Sequence, residues 1–300
     1  MKVAKKCQDR LHEWGRANQV EFDSDKESIT VLSRSSPSGK GFKIFNIFFD
    51  TGLYMEEAIS NICDAASWKL RTLLRTSRFF GMMKMVNLYK SKVLSYIEGK
   101  TSAIYHVAAT QLARVDGIQN PFLRSMGITE MEALCELRLA LLCSRRDMAL
   151  LGLIHRTVLG YSPKQFQTFF QLDATARHPD GRESGRRHNR QLVTHRVGKY
   201  LDILGQSMLG LVDVYNLLPA NIVAATDVSM FQTRLQKDLI HAAKGGICDW
   251  QKLYSPRLAI YAHPLRRFRT ISATIPGGDT PVHGGAARRC VEGWLRFAQE

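Results

Sequence analysis

The sequence predicts a mostly α-helical protein with a small N-terminal α+β part, in which a helix and a β-hairpin precede a long helical region. Two observations predict this fold class. β-branched and aromatic residues form two short runs near the N-terminus, SITVLS (28–33) and FKIFNIFFD (42–50), which are typical of strands. From Tyr54 onward, apolar residues recur every three or four positions, which is the period of an amphipathic helix.

The first helix is predicted by Val3, Cys7, Leu11 and Trp14, which recur at helical spacing with charged residues between them. Its sequence resembles the middle of a helix, with no capping residue before it, so we expect a truncated element. The Pro, Gly and Ser content of RSSPSGKG (34–41) predicts a loop, and this loop would join the two strands in a hairpin.

The next helix, Trp68–Phe80, is predicted to have an apolar and a basic face. Leu70, Leu73, Leu74 and Ser77 share the first face, and the second carries Arg71, Arg75 and Arg78. A further helix, Met82–Glu98, is expected to end at Gly99. Its inward side would hold Met85, Val86, Tyr89, Val93 and Ile97.

Two later helices carry the pattern of a capping box, in which a hydroxyl residue is followed three positions later by an acid. Thr129 and Glu132 form the first pattern, and Ser144 and Asp147 form the second. Residues 174–200 hold seven Lys and Arg against two acids, which indicates an exposed basic loop. The predicted divisions are therefore 1–60, 61–173, the basic loop 174–199, helices in 200–254, and a basic, disordered tail in 255–300.

The charge balance is the unusual property of the composition. Lys and Arg number 42 against 27 Asp and Glu, which gives a net charge of +15. Such an excess favours a polyanionic partner, either nucleic acid or an anionic membrane, although a solvated basic surface would produce the same number.

The six cysteines include no CxxC pair, and none has zinc-finger spacing to a histidine, so we predict no metal site and reduced thiols in an intracellular protein. No stretch reaches the roughly 18 apolar residues of a membrane-spanning helix, and the N-terminus lacks the apolar region of a signal peptide.

The charged turn Asp23–Glu27 has three interpretations. A calcium loop requires glycine at its sixth position and glutamate at its twelfth, where this sequence has Ser28 and Arg34. A paired-carboxylate site would need a pocket that raises a pKa. A solvated turn or helix cap is the simplest interpretation, and a role for Lys26 is the alternative.

The order of these segments resembles the reverse transcriptases of LINE-type (non-LTR) retrotransposons. CQDRLHEWGRANQVEFDSDKESITVLS is similar to the family's motif D, and FKIFNIFFDTGL to motif E, the primer-grip hairpin. The start of the family's helical thumb is matched by Leu88, Tyr89, Lys90, Ser91, Val93, Ser95 and Glu98. The resemblance covers roughly residues 4–250 and is specific over 7–106. Asn46, Gly52 and Gly99 depart from the family's pattern.

The resemblance implies the carboxyl-terminal part of such a polymerase: the end of the palm (1–60), the thumb (61–173) and a post-thumb region. The family's aspartates hold Mg²⁺, but no xADD or xxDD sequence occurs in this chain. We therefore expect no cofactor and no activity in this chain alone. Lys26 would be a vestigial general acid of motif D.

The resemblance also implies an RNA–DNA primer–template as partner, together with the missing palm and fingers, and a nuclear location. The expected nucleic-acid contacts are Arg71, Arg75, Arg78, Lys84, Lys90, Lys92, Arg186, Arg187 and Arg190. The expected primer-grip residues are Phe42, Lys43, Phe45, Asn46 and Asp50.

Two other functions fit the same residues. A basic helical nucleic-acid-binding protein of other origin would have its first helix packed without a missing partner. A complete enzyme with an unrecognised site would have a pocket in which polar groups meet a perturbed carboxylate or histidine. A truncated polymerase would instead expose apolar residues on the first helix and on 42–50.

Overall fold

The computed structural model describes residues 2–23, 26–173, 188–194 and 201–266. Over these residues the protein is mostly helical, with one two-stranded antiparallel sheet, which confirms the predicted fold class at this level. The elements of the N-terminal half are α1 (Lys2–Ala17), β1 (Phe42–Ile44), β2 (Ile47–Phe49), α2 (Glu56–Arg75), α3 (Met82–Tyr89), α4 (Ser95–Glu98), α5 (Thr101–Ile104), α6 (Ala109–Asp116), α7 (Gln119–Met126) and α8 (Glu130–Cys135). Those that follow are α9 (Leu142–Val158), α10 (Lys164–Gln167), α11 (Leu201–Gln206), α12 (Leu211–Leu217), α13 (Ala220–Val223) and α14 (Val228–Lys244).

The apolar stripe of α1 faces solvent. Val3 is 77% exposed and Trp14 is 56% exposed, and Cys7 and Leu11 are exposed as well. The helix is tied to the following turn by Glu27, whose carboxylate accepts a hydrogen bond from Gln8. An amphipathic helix normally buries its apolar side, so the apolar stripe of α1 is left uncovered by the described residues.

The hairpin differs from the predicted one. The expected strand 42–50 folds back on itself through a two-residue turn, so that Phe42 pairs with Phe49 and Ile44 with Ile47. Residues 28–33, predicted as its partner, contribute only the isolated bridge between Val31 and Ser38 among the described residues. The predicted long loop was therefore wrong as the hairpin connection.

Asp50 sets the turn that leads from the hairpin into α2. Its carboxylate accepts hydrogen bonds from the backbone N–H groups of Gly52 and Tyr54, each at 3.0 Å, and of Met55 at 2.5 Å. Leu53 and Met55 have positive φ angles of 56° and 58°, a conformation that is unfavourable without such support. Asp50 thus has a clear structural role at the start of α2.

The predicted helix Met82–Glu98 is present but contains a π-helical turn at Lys90–Leu94. Four of its buried positions recur at four-residue steps, namely Met85, Tyr89, Val93 and Ile97, and Val86 and Leu94 are buried beside them. A regular α-helical turn has 3.6 residues, so this stripe would drift around the helix. The wider π turn takes up the difference and keeps all four side chains inward.

Two hydrophobic cores organise the described chain. The first holds residues between Ile47 and Leu142, and includes the predicted inward sides of α2 and α3. The second holds Tyr105 and residues from Leu134 to Leu265. Along the chain, the change from the first core to the second falls within α9 for most residues, since Leu142 belongs to the first core and Met148 to the second.

The two capping predictions have opposite outcomes. The Thr129 hydroxyl oxygen accepts from the Glu132 N–H at the start of α8, and the Glu132 carboxylate accepts from the Thr129 N–H, which completes the predicted capping box. The prediction for Ser144 was wrong, because α9 already begins at Leu142 and buries it. The Ser144 hydroxyl donates instead to the Gln251 carbonyl at 2.7 Å.

Two segments that were predicted to be exposed or disordered are packed where the structure describes them. In the basic loop, His188 and Leu192 are buried against the second core. Near the C-terminus, Leu265 is buried in the same core, so the expected disorder does not hold for residues 255–266. Composition did not predict these contacts, because each segment is polar overall and only one or two of its side chains are buried in the core.

Candidate nucleic-acid interface

One face of α2 presents basic and aromatic side chains to solvent. Arg71 and Arg75 are exposed, and Arg78 is exposed in the short 3₁₀ turn that follows. Trp68 lies three positions before Arg71 and seven before Arg75, so the three side chains share one side of the helix. The opposite side of α2 packs into the first core with Leu70 and Leu73 buried, which fixes the outward direction of the arginines.

This face belongs to a stretch that has no acidic residue. Between Ala65 and Ile97 the sequence contains seven Lys and Arg and no Asp or Glu. The nearest acidic residue on this side of α2 is the exposed Asp64, four positions before Trp68. Such a one-sided distribution of charge attracts polyanions.

The other predicted basic contacts do not all lie with this face. Lys84 and Lys92 are exposed, but Lys90 is half-buried, and its Nζ donates to the Leu137 carbonyl at 3.0 Å. Burial lowers the pKa of Lys90. We therefore leave Lys90 out of the candidate interface.

The predicted contacts of the basic loop separate in the same way. The Arg190 guanidinium donates to two carbonyls at the end of α13. Val223, the last residue of the helix, accepts at 2.8 Å, and Ala225, just beyond it, accepts at 3.1 Å. This arginine has a structural role in the second core. Arg186 and Arg187 lie outside the described residues.

The hairpin borders a cleft of about 350 Å³ between β2, α2 and α4. Lys43 and Asn46 line it from the hairpin, Asn61 from α2, and Tyr96 and Lys100 from beyond the π turn. The Lys100 ammonium lies 5.1 Å from the centre of the Tyr96 ring, and the Lys69 ammonium lies 5.3 Å from it. Glu57 of α2 also lines the cleft, so its walls carry an acidic side chain as well as lysines.

The remaining predicted hairpin residues have distinct positions. Phe42 stacks on Phe49 with ring centres 5.2 Å apart, in agreement with a packing role. Phe45 is 93% exposed at the tip of the turn, where its φ is 48° and that of Asn46 is 61°. A bulky residue rarely adopts a positive φ, so this turn holds its aromatic tip at a cost in backbone energy.

The charged turn presents Lys26 to solvent. Its Nζ lies 2.9 Å from Asp23 Oδ2, and Glu27 is held by α1, where His12 Nε2 lies 2.8 Å from Glu27 Oε1. Hydrogen bonds from Gln8 and His12 lower the pKa of Glu27. This geometry is that of a solvated turn. Asp25 lies outside the described residues.

Side chains with strongly shifted pKa values lie in the interior and away from the cleft. Burial raises the pKa of Asp147 to about 7 and that of Asp238 to about 6, and it lowers the pKa of His155 to about 4. Asp147 accepts a hydrogen bond from the Tyr105 hydroxyl at 2.5 Å. None of the three lines the cleft at the hairpin, so an acid–base site of the kind expected for a complete enzyme has no support there.

No three His, Cys, Asp or Glu side chains in the described part of the chain come close enough to hold a metal ion. The five cysteines in that part are free thiols. No helix within it is long and apolar enough to cross a membrane.

The chain matches no family model, no curated protein and no solved structure.

Sequence reasoning missed the aromatic part of this interface. Trp68 was treated only as the start of the predicted helix Trp68–Phe80, and Phe79, which is 68% exposed, only as a residue within it. The helical spacing of Trp68 to Arg71 and Arg75 was the available signal, because it places the indole outside the leucine face. Lys69 and Lys100 carry no comparable pattern, since their approach to Tyr96 depends on the tertiary fold.

Proposed function

We propose that this chain is the carboxyl-terminal part of a retrotransposon-type reverse transcriptase that binds a primer–template duplex without catalysing polymerisation. The observation that carries the binding proposal is the basic face at the C-terminal end of α2 and in the turn that follows, where Arg71, Arg75 and Arg78 are directed to solvent. Leu70 and Leu73 of the same helix are buried, and the stretch from Ala65 to Ile97 contains no acidic residue. Arginines fixed in this way contact phosphates along a nucleic-acid backbone.

The polymerase origin is supported by a second observation. The apolar stripe of α1 is exposed, and Ile44 of β1 is exposed beside the hairpin turn. In the proposal, the rest of a palm covers both surfaces and supplies the metal-binding aspartates that this chain lacks. A basic nucleic-acid-binding protein of other origin has no need of such an uncovered helix.

The binding proposal is tested by measuring the affinity of the whole chain for a labelled RNA–DNA primer–template across a series of salt concentrations. Each phosphate contact contributes about 0.7–0.9 to the slope of log affinity against log salt. Replacing Arg71, Arg75 and Arg78 together by Ala should therefore flatten the slope by roughly 2–3.

A matched control removes the same charge elsewhere. The segments that build the second core carry three exposed lysines, namely Lys237, Lys244 and Lys252. Replacing these three by Ala should leave the slope close to that of the unchanged chain. Equal losses in the two triple variants would show that only net charge matters, and the assignment to α2 would be rejected. Absence of binding by the unchanged chain at low salt would reject the function itself.

A further inference from the structure

Two exposed aromatic side chains accompany the arginines of α2. Trp68 is 62% exposed on the helix, and Phe79 is exposed in the 3₁₀ turn just beyond its end. The Arg78 guanidinium lies over the Phe79 ring, 4.8 Å from its centre. The edge of the basic face therefore carries flat apolar surfaces in addition to charge.

The spacing of these side chains suits a strand of nucleic acid. Arg71 and Arg75 are one turn apart on one side of α2, or ~6 Å along the helix axis, and Trp68 lies one turn before Arg71. Arginines at this spacing contact successive phosphates of an extended strand, while an aromatic ring beside them offers a surface on which a base can stack.

The charge of the stretch identifies the occupant as nucleic acid. A protein partner would have to bring several carboxylates to the six basic residues of this stretch other than Lys90, whereas a nucleic acid strand brings one phosphate per nucleotide. A base-paired duplex hides the faces of its bases, so Trp68 and Phe79 have a use only with unpaired bases.

We infer that Trp68 and Phe79, together with the arginines of α2, form a binding site for unpaired nucleotides, such as the single-stranded template beyond a primer end. This inference rests on the proposed function, because the arginines must first hold the strand. It adds a class of substrate, since stacking selects single strands with bases whatever their sequence.

The test separates stacking from charge. The affinity of the whole chain is measured by fluorescence anisotropy for a single-stranded DNA of about 12 nucleotides, within the range of single-strand site sizes, and for an abasic strand of the same length and charge. The strand with bases should bind about tenfold more tightly, because a stacked base contributes on the order of 1–3 kcal/mol. Trp68→Ala should remove most of this preference and leave the abasic affinity unchanged.

Trp14→Ala is the matched control, because Trp14 is similarly exposed but lies on α1. It should keep the full preference. Arg75→Ala should weaken binding of both strands by the same factor. Circular dichroism of each variant verifies that the helices are intact.

Equal affinity of the unchanged chain for the two strands would overturn the inference and leave the proposed function standing. A preference that survives in folded Trp68→Ala would also overturn it, since the exposed indole would then serve a different purpose, such as contact with a protein. Failure to bind either strand or the duplex would reject the inference and the proposed function together.

Discussion

Replacement of Asp147 by Asn should change how the stability of the protein depends on pH. Asp147 is buried on α9, where its carboxyl accepts a hydrogen bond from the Tyr105 hydroxyl at 2.5 Å. Burial raises its pKa to about 7, although the Tyr105 hydrogen bond and the Arg146 guanidinium oppose this shift. The Arg146 guanidinium donates two hydrogen bonds of 2.9 Å to the Asp116 carboxylate, so its positive charge is already paired and stabilises ionised Asp147 less.

The sign of the effect follows from proton binding. Because the pKa of Asp147 is higher in the folded state than its ordinary value of 3.8, the folded state binds the proton more tightly. This contribution to stability is complete below about pH 4 and is lost as pH rises through about 7. The shift corresponds to ~4 kcal/mol at most.

The asparagine side chain stays neutral at every pH and can still accept from Tyr105. The free energy of unfolding of Asp147→Asn, measured by urea denaturation, should therefore rise relative to the unchanged chain by up to ~4 kcal/mol between pH 4 and pH 8. Contributions from Asp238 and His155 are common to both proteins and cancel in the difference.

Asp249→Asn serves as the control, because Asp249 is exposed near the same core. Its curve should run parallel to that of the unchanged chain. If the Asp147→Asn curve is also parallel, the carboxyl is not protonated in the folded state, and the argument from burial fails.

Two further predictions concern residues that the sequence analysis assigned to nucleic-acid contacts or to the primer grip. Arg190→Ala should reduce the free energy of unfolding by about 2 kcal/mol, because two carbonyls lose a charged donor. The salt dependence of nucleic-acid binding should stay unchanged. A flattened salt dependence with intact stability would show that Arg190 contacts nucleic acid instead. Phe45→Asn should stabilise the hairpin by roughly 1 kcal/mol, because Asn tolerates the positive φ of this turn better than Phe; slower hydrogen exchange of the amides in 42–49 would support this, and faster exchange would contradict it.

The elements that the sequence predicted well are those in which one side of a helix is apolar over several turns. In α2, the leucine positions determine the buried side, and the outward direction of Arg71 and Arg75 follows from them. The capping box at Thr129 was equally predictable, because both partners lie within one helical turn.

The failures have a common physical cause, which is that tertiary contacts outweigh local preference. Ser144 has the local pattern of a cap, but burial of Leu142 begins the helix two residues earlier. The turn at Phe45–Asn46 contains no glycine, so Asn46 was the single local signal for a reversal within FKIFNIFFD. Lys90 was assigned to the surface because its contact, the Leu137 carbonyl, is 47 residues away in sequence.

The position of the two cores along the chain has a consequence for synthesis on the ribosome. The first core is complete once Leu142 has been made, whereas the second needs residues as late as Leu265. At a translation rate of about 5–20 residues per second, the intervening ~120 residues take roughly 6–25 s to appear. During that interval the first core can fold alone, and the apolar side of α9 that awaits α14 remains open to chaperones.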